Sequence, residues 1–244
     1  MKTLMTLLAG SITLAATSPA LAMNKNEPRF TRVIVDQLEA RDSDEGTVMA
    51  WEASGWHGGD LNKLYFSTEG ERLMDPEHDG EDASTEAAET RLAWNRAFAP
   101  FWDWQLGVRR DWQPDDPNRD WASIGVQGAA PYLFEVDANL FIGEEGLTNL
   151  RLEAEYELLL TQKWILVPEI EANLYGKDDP ELGIGDGLAS LEAGLRLRYE
   201  IRREIAPYIG VNWEKQYGDT ADMTRAAGGK TEQGTIVAGI RFWF

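Results

Sequence analysis

Two histidines, six methionines and no cysteine limit the chemistry open to this chain. His57 lies in Gly55-Trp56-His57-Gly58-Gly59, and His78 in Met74-Asp75-Pro76-Glu77-His78-Asp79. Nucleophilic catalysis needs a base beside a serine or carboxylate. A single histidine in an acidic loop is more often solvated than catalytic, so no enzyme is expected. Without cysteine there is neither a disulfide framework nor a thiolate metal site. Met74, Glu77 and His78 offer thioether, carboxylate and imidazole within one loop. Thioether suits reduced copper; imidazole and carboxylate suit the oxidised ion. Met223 beside Asp222 forms a second such place, and His57 a third. None of these spacings matches a defined metal motif.

A denser set of groups lies in one stretch, Asn149 to Leu174. Arg151, Glu153, Glu155, Glu157, Glu169, Glu171 and Asn173 alternate there with Leu150, Leu152, Ala154, Tyr156, Leu158, Trp164, Leu166, Ile170, Ala172 and Leu174. A period of two means strand, with one charged and one apolar face. Thr161-Gln162 turns the stretch into a hairpin. The pattern recurs along the chain and predicts about twelve strands, the first, near Phe30 to Arg41, being the least regular. Short turns at Gly58-Gly59-Asp60, Phe98 to Phe101, Ala129 to Pro131 and Arg202 to Glu204 alternate with longer polar connections. Those connections are Arg41 to Gly46, Met74 to Ser84, Gln113 to Asp120, Gly143 to Gly146, Gly176 to Gly187 and Gly218 to Gln233.

No helical stretch could cover the apolar face, so a sheet closed on itself in lipid is expected. A soluble sandwich or barrel would alternate too, but with its apolar residues inside. Three features favour the membrane: a leader, the aromatics and the loop asymmetry. Lys2, the apolar run Leu4 to Leu14 and Ser18-Pro19-Ala20-Leu21-Ala22 read as a signal peptide cleaved after Ala22. Met23 to Arg29 is then a short periplasmic segment and residues 30–244 the barrel. Ten Trp, seven Tyr and eight Phe suit girdles at two membrane interfaces. The expected fold is all-β, an antiparallel transmembrane barrel with short periplasmic turns and longer acidic extracellular loops. The terminal Phe244 resembles the C-terminal signal of bacterial outer-membrane proteins. The location is the outer membrane of a Gram-negative cell, among its lipid and lipopolysaccharide.

The net charge is −19, which disfavours nucleic acid. With the apolar parity toward lipid, the charges line the lumen. The acids are Glu52, Glu69, Asp103, Glu135, Asp137, Glu153, Glu155, Glu157, Glu169, Glu171, Glu192 and Glu214. The bases are Lys63, Arg91, Arg109, Arg151, Arg196, Arg198 and Arg241. Some must pair and fill the bore as a purely structural network. The acid excess should attract cations and repel anions.

Further residues carry a resemblance. Trp51-Glu52-Ala53-Ser54-Gly55-Trp56-His57-Gly58-Gly59-Asp60-Leu61-Asn62-Lys63-Leu64 resembles the bacterial copper resistance protein B family, as do Glu69-Gly70-Glu71, Glu89 to Trp112 and Ala130-Pro131-Tyr132. The likeness continues through Leu160-Thr161-Gln162, Gly194 to Glu204, Ala206-Pro207-Tyr208-Ile209-Gly210-Val211, and Ala238-Gly239-Ile240-Arg241 with Trp243-Phe244. It implies an outer-membrane barrel for copper resistance, encoded with a periplasmic multicopper oxidase, that binds or passes copper ions. Members often carry a Met- and His-rich segment before the barrel. Met23 to Arg29 holds one methionine and no histidine, which leaves the acidic lumen and loops as the expected copper path. The alternatives are a docking barrel for the oxidase and a general small-cation channel. On the first reading, neutralising Glu153, Glu155, Glu169 and Glu171 lowers copper flux without preventing folding.

Overall fold

A computed structural model describes residues 28–43, 46–76, 85–113 and 117–244. The strands are β1 (Phe30–Ser43), β2 (Gly46–Gly58), β3 (Asn62–Pro76), β4 (Thr85–Ala99), β5 (Trp102–Trp112), β6 (Arg119–Ala130) and β7 (Phe134–Gly143). They continue as β8 (Thr148–Glu155), β9 (Leu158–Leu159), β10 (Trp164–Tyr175), β11 (Gly187–Tyr199), β12 (Ile205–Gln216) and β13 (Glu232–Trp243). β8 and β9 both pair with β10, so they are two pieces of one span and the barrel has twelve. The break falls opposite Pro168, which has no N–H to give the ladder. The Tyr156 N–H donates to the Pro168 carbonyl instead, at 3.1 Å. Neighbours pair antiparallel throughout, and β1 against β13 closes the ring. The last residue locks that seam, since Val33 and Phe244 exchange both backbone hydrogen bonds at 2.9 and 3.0 Å.

The two ends differ. At the near rim, where residues 28 and 244 lie, the connections are the turns 59–61, 100–101, 131–133, 160–163 and 200–204. At the far rim lie the short connection 144–147 and the longer 176–186 and 217–231. Thr161 shapes one near turn by accepting from the N–H groups of Lys163 and Trp164 through its Oγ1. Two others pair a proline with an aromatic residue in the left-handed region, Pro100-Phe101 (φ 67°) and Pro131-Tyr132 (φ 69°). Several expected loops are in fact partly regular: β3 runs on to Pro76, β6 begins at Arg119, and Glu144–Gly146 is a 3-10 turn. Arg41 to Ser43 and Gly46 continue the β1–β2 ladder, with Ser43 opposite Gly46. The connection Gly218 to Gln233 contains a helix, α1 (Gly218–Ala226), that the polar, apolar-poor sequence does not announce.

The barrel is built inside out relative to a soluble protein. Leu64, Phe66, Leu92, Leu106, Val108, Ile124, Ile209 and Ile236 are exposed on its outer face. Glu39, Gln105, Asn139, Asn149, Arg109 and Arg196 are buried within it. That distribution removes the soluble sandwich and fits lipid outside. Aromatic rings gather toward the near rim: Phe98 on Trp104, Phe134 on Tyr156 and Trp164 on Tyr199, with centroids 4.6 to 5.0 Å apart. Phe101, Tyr132 and Phe244 stand out most there. Leu106→Arg, at the middle of β5, should therefore cost about 2–4 kcal/mol in lipid. Urea unfolding from liposomes measures this, and an unchanged midpoint would contradict a lipid-facing Leu106.

Candidate functional site

The inward parity of the strands places acids in register rows around the bore. Asp137, Glu153, Glu171, Glu192 and Glu214 are successive cross-strand partners from β7 to β12. Glu135, Glu155 and Glu169 form a second row nearer the β6–β7 turn. Glu52, Glu69, Glu89 and Asp111 form a third on the opposite wall. Like charges directly opposite one another destabilise a sheet. Three such rows in one barrel therefore work against the fold that holds them. Between the rows lies a cavity of about 980 Å³, lined by Glu52, Glu69, Glu135, Asp137, Glu153, Glu155, Glu169, Glu171 and Glu192 among others.

Every expected counter-charge is engaged. Lys63 donates to Asp103 at 2.7 Å and Arg241 to Asp36 at 2.9 Å. Arg109 holds Asp111 at 2.7 Å and Glu89 at 2.9 Å. Arg91 donates to Gln105 and Asn139, Arg198 to Glu157, and Arg196 to Glu169. The acids are not all answered. Glu52, Glu135, Glu155 and Glu214 have no ion-pair partner among the described residues. Glu52 stands opposite Glu69, and Glu155 opposite Glu135 and Glu169. A cation entering the lumen would meet carboxylate oxygens in each of the three rows.

Some lumen residues were hidden by the first strand. Val35 pairs with Ala53 and Gln37 with Glu52, so Asp36 is the extra residue of a β-bulge. A bulge sets two residues against one and re-phases the alternation. Asp36 and Gln37 consequently both reach the cavity, with Arg32 and Ile34 before them and Arg41 after. Glu39 is fully buried beyond the bulge. Strict alternation from Phe30 onward cannot find both halves. Glu71, Glu89 and Asp111 carry a plainer signal, since each shares parity with a residue already assigned to the lumen.

The loop candidates are distributed over both rims. Met74 is exposed at the far end of β3. Glu77 and His78 lie outside the described residues. Met223 is on α1, where Arg225 holds Asp222. His57 is at the near rim, with Nδ1 hydrogen-bonded to Thr31 Oγ1 at 2.8 Å. One ion cannot use His57 together with Met74 or Met223. The 176–186 connection is tied across the far rim by Arg119, which grips Asp179 at 2.8 and 2.9 Å and Glu181 at 2.8 Å. It also packs on α1, where the Gly185 N–H donates to Thr220 Oγ1. Asp178, Asp186 and Asp219 bring their carboxylate oxygens within 4.8 Å of one another there.

A sequence profile of the family described as "Copper resistance protein B precursor (CopB)" matches residues 29–244, all but the start of the chain. The chain belongs to the copper resistance protein B family. A "Copper resistance protein B homolog" of Pseudomonas syringae pv. tomato is 44% identical over 211 residues, covering 86% of this chain and 69% of that protein. A "Copper resistance protein B" of Escherichia coli is 45% identical over 212 residues, with 87% and 69% covered. Among solved structures the chain is similar to the NanC porin, with a TM-score of 0.54 and 10% identity over 87% of this chain and 99% of that one. It is also similar to the KdgM porin, with a TM-score of 0.50 and 12% identity over the same shares. At these identities the porins speak to the barrel fold alone. The family and the fold agree with the expectations drawn from the sequence.

Proposed function

We propose that this protein sits in the Gram-negative outer membrane and binds and conducts copper ions through its acidic lumen. The observation that carries the reading is the set of opposed carboxylate rows, with Glu52, Glu135, Glu155 and Glu214 in no ion pair among the described residues. Such rows cost stability, so a cargo that neutralises them accounts for their presence better than packing does. Membership of a copper resistance family supports copper as the cargo. The near rim is then periplasmic and the far rim extracellular. Met1 to Ala22 is a removed signal peptide on this reading, and the residues that precede β1 are periplasmic.

Copper reaches the mouth past Met74, Glu77, His78 and Met223 as loop ligands. Inside, carboxylates of the β7–β12 row pass it toward the Glu135–Glu155–Glu169 row. Oxygen donors of this kind suit the oxidised ion. His57 retains Nε2 for an ion at the near rim. On this reading the role is not enzymatic: the protein hands copper on, and the periplasmic multicopper oxidase with which the family resemblance implies it is encoded is the proposed receiver.

Copper flux into proteoliposomes holding the purified barrel, with magnesium and chloride as controls, tests this reading. Copper flux well above both controls is expected. Equal passage of copper and magnesium would mean a plain cation pore. No flux at all would leave a plugged barrel that binds copper at its loops or docks a periplasmic partner.

A further inference from the structure

One base in the lumen is placed unlike the rest. Arg151, on β8, donates to Glu69 on β3 at 2.7 Å and to Glu89 on β4 at 2.8 Å. Those strands are four and five places away in a ring of twelve spans, so the guanidinium crosses the bore. On its own wall it also lies 3.6 Å from Glu171 and 3.9 Å from Glu153. One cation thus joins the β7–β12 row to the Glu52–Asp111 row. Behind it stands a fixed support. Phe141 is fully buried and carries Arg109 at 4.4 Å, Arg91 at 5.6 Å and Arg151 at 5.8 Å from its ring centroid. Arg91 on β4 and Arg109 on β5 belong to the opposite wall themselves, held by Gln105, Asp111 and Glu89 there and, for Arg91, by Asn139 of β7. Of the three, Arg151 is the one whose ion pairs fall on acids of both rows.

We propose that Arg151 determines which cations pass: it is a tethered cation that holds the central carboxylates and yields them to a divalent ion. This rests on the reading of the lumen as an ion path. A monovalent ion offers those carboxylates one charge, no more than the guanidinium already does, and without its forked hydrogen bonds. A divalent ion offers two charges and can take oxygens from both walls at once. Arg151 then has a place to go, because the Phe141 face and Asn173 Oδ1, 3.4 Å from its Nε, remain beside it.

The chain contains no cysteine, so R151C carries the sole thiol and can be modified inside the assembled barrel. Potassium conductance in planar bilayers is the readout, and it does not involve copper. R151C is expected to conduct potassium roughly threefold better than the parent or more, because the bridging charge is gone. An aminoethyl thiosulfonate, which restores a positive charge, should bring conductance back down. A sulfonatoethyl reagent of similar size should leave it high. Conductance of R151C equal to the parent overturns the proposal, as does equal closure by both reagents. Should R151C fail to assemble, R151Q, which removes the charge but keeps hydrogen-bond donors for Glu69 and Glu89, should show the same rise; no rise in that variant also overturns it. The two readings fail separately. Copper flux no greater than magnesium in the parent refutes the copper path whatever R151C does, and unchanged conductance in R151C refutes the gate whatever copper does.

Discussion

Glu39→Ala should destabilise the barrel by about 3–5 kcal/mol, the cost of stripping a buried ion network of its shared anion. Glu39 is fully buried and takes four hydrogen bonds from three residues. Arg196 donates through Nε and Nη2 at 3.0 Å each, Arg41 through Nε at 2.8 Å and the Tyr208 hydroxyl at 2.9 Å. These donors come from β11, β1 and β12, so one carboxylate ties three strands around the closing seam. Its removal leaves Arg196 with Glu169 and Gln37, and Tyr208 with no acceptor at its hydroxyl. Glu39→Gln keeps the shape but loses the charge and should fall between. The measurement is urea unfolding from liposomes, with the heat-dependent shift in gel mobility as a check on the folded state. A loss below about 1 kcal/mol for Glu39→Ala, the worth of a single ordinary hydrogen bond, would mean the network is incidental.

That network also shows where sequence reading reaches its limit. Alternation survives along β7, β8, β10 and β11 because their pairing is unshifted across the row Asp137, Glu153, Glu171 and Glu192, the shift at Asn173/Leu174 lying beyond it. β1 does not obey a single phase, because the bulge at Asp36 shifts the inward parity from even to odd numbers. A bulge leaves no residue-type signature here, so Glu39 and Arg41 were not assigned to the lumen. The helix α1 escaped for another reason. Its sequence Gly-Asp-Thr-Ala-Asp-Met-Thr-Arg-Ala has no apolar stripe, and only Thr220 and Ala221 are buried. Its place is fixed by the neighbouring 176–186 connection rather than by its own pattern. Arg151 was legible as a lumen base, but its reach to Glu69 and Glu89 is a property of the closed ring. Strand pattern says which face a side chain takes; it does not say what stands opposite across the bore.

The same cross-bore geometry alters which acids best test the copper path. Glu153 and Glu171 lie beside Arg151, and Glu169 accepts from Arg196, so neutralising them also strands two arginines. Glu52, Glu155 and Glu214 form no ion pair among the described residues, so their neutralisation breaks none. E52Q/E155Q/E214Q should lower copper flux roughly tenfold, equivalent to about 1.4 kcal/mol lost along the path. Stability should move the other way or not at all. Each substitution relieves an opposed pair, Glu52 with Glu69, Glu155 with Glu135 and Glu169, and Glu214 with Glu192, worth about 0.2–1 kcal/mol apiece. A matched variant, E144Q/E145Q/E204Q, removes the same charge from exposed rim positions and should keep its flux. Flux and unfolding midpoint are measured on all three proteins. Equal losses of flux in the two variants would attribute the effect to net charge rather than to a path. Lost flux together with lost stability would return the rows to a structural role. Lower flux with an equal or higher midpoint is the outcome that a conduit requires, because a site kept for its cargo is the one place where neutralising a charge strengthens the fold and weakens the function.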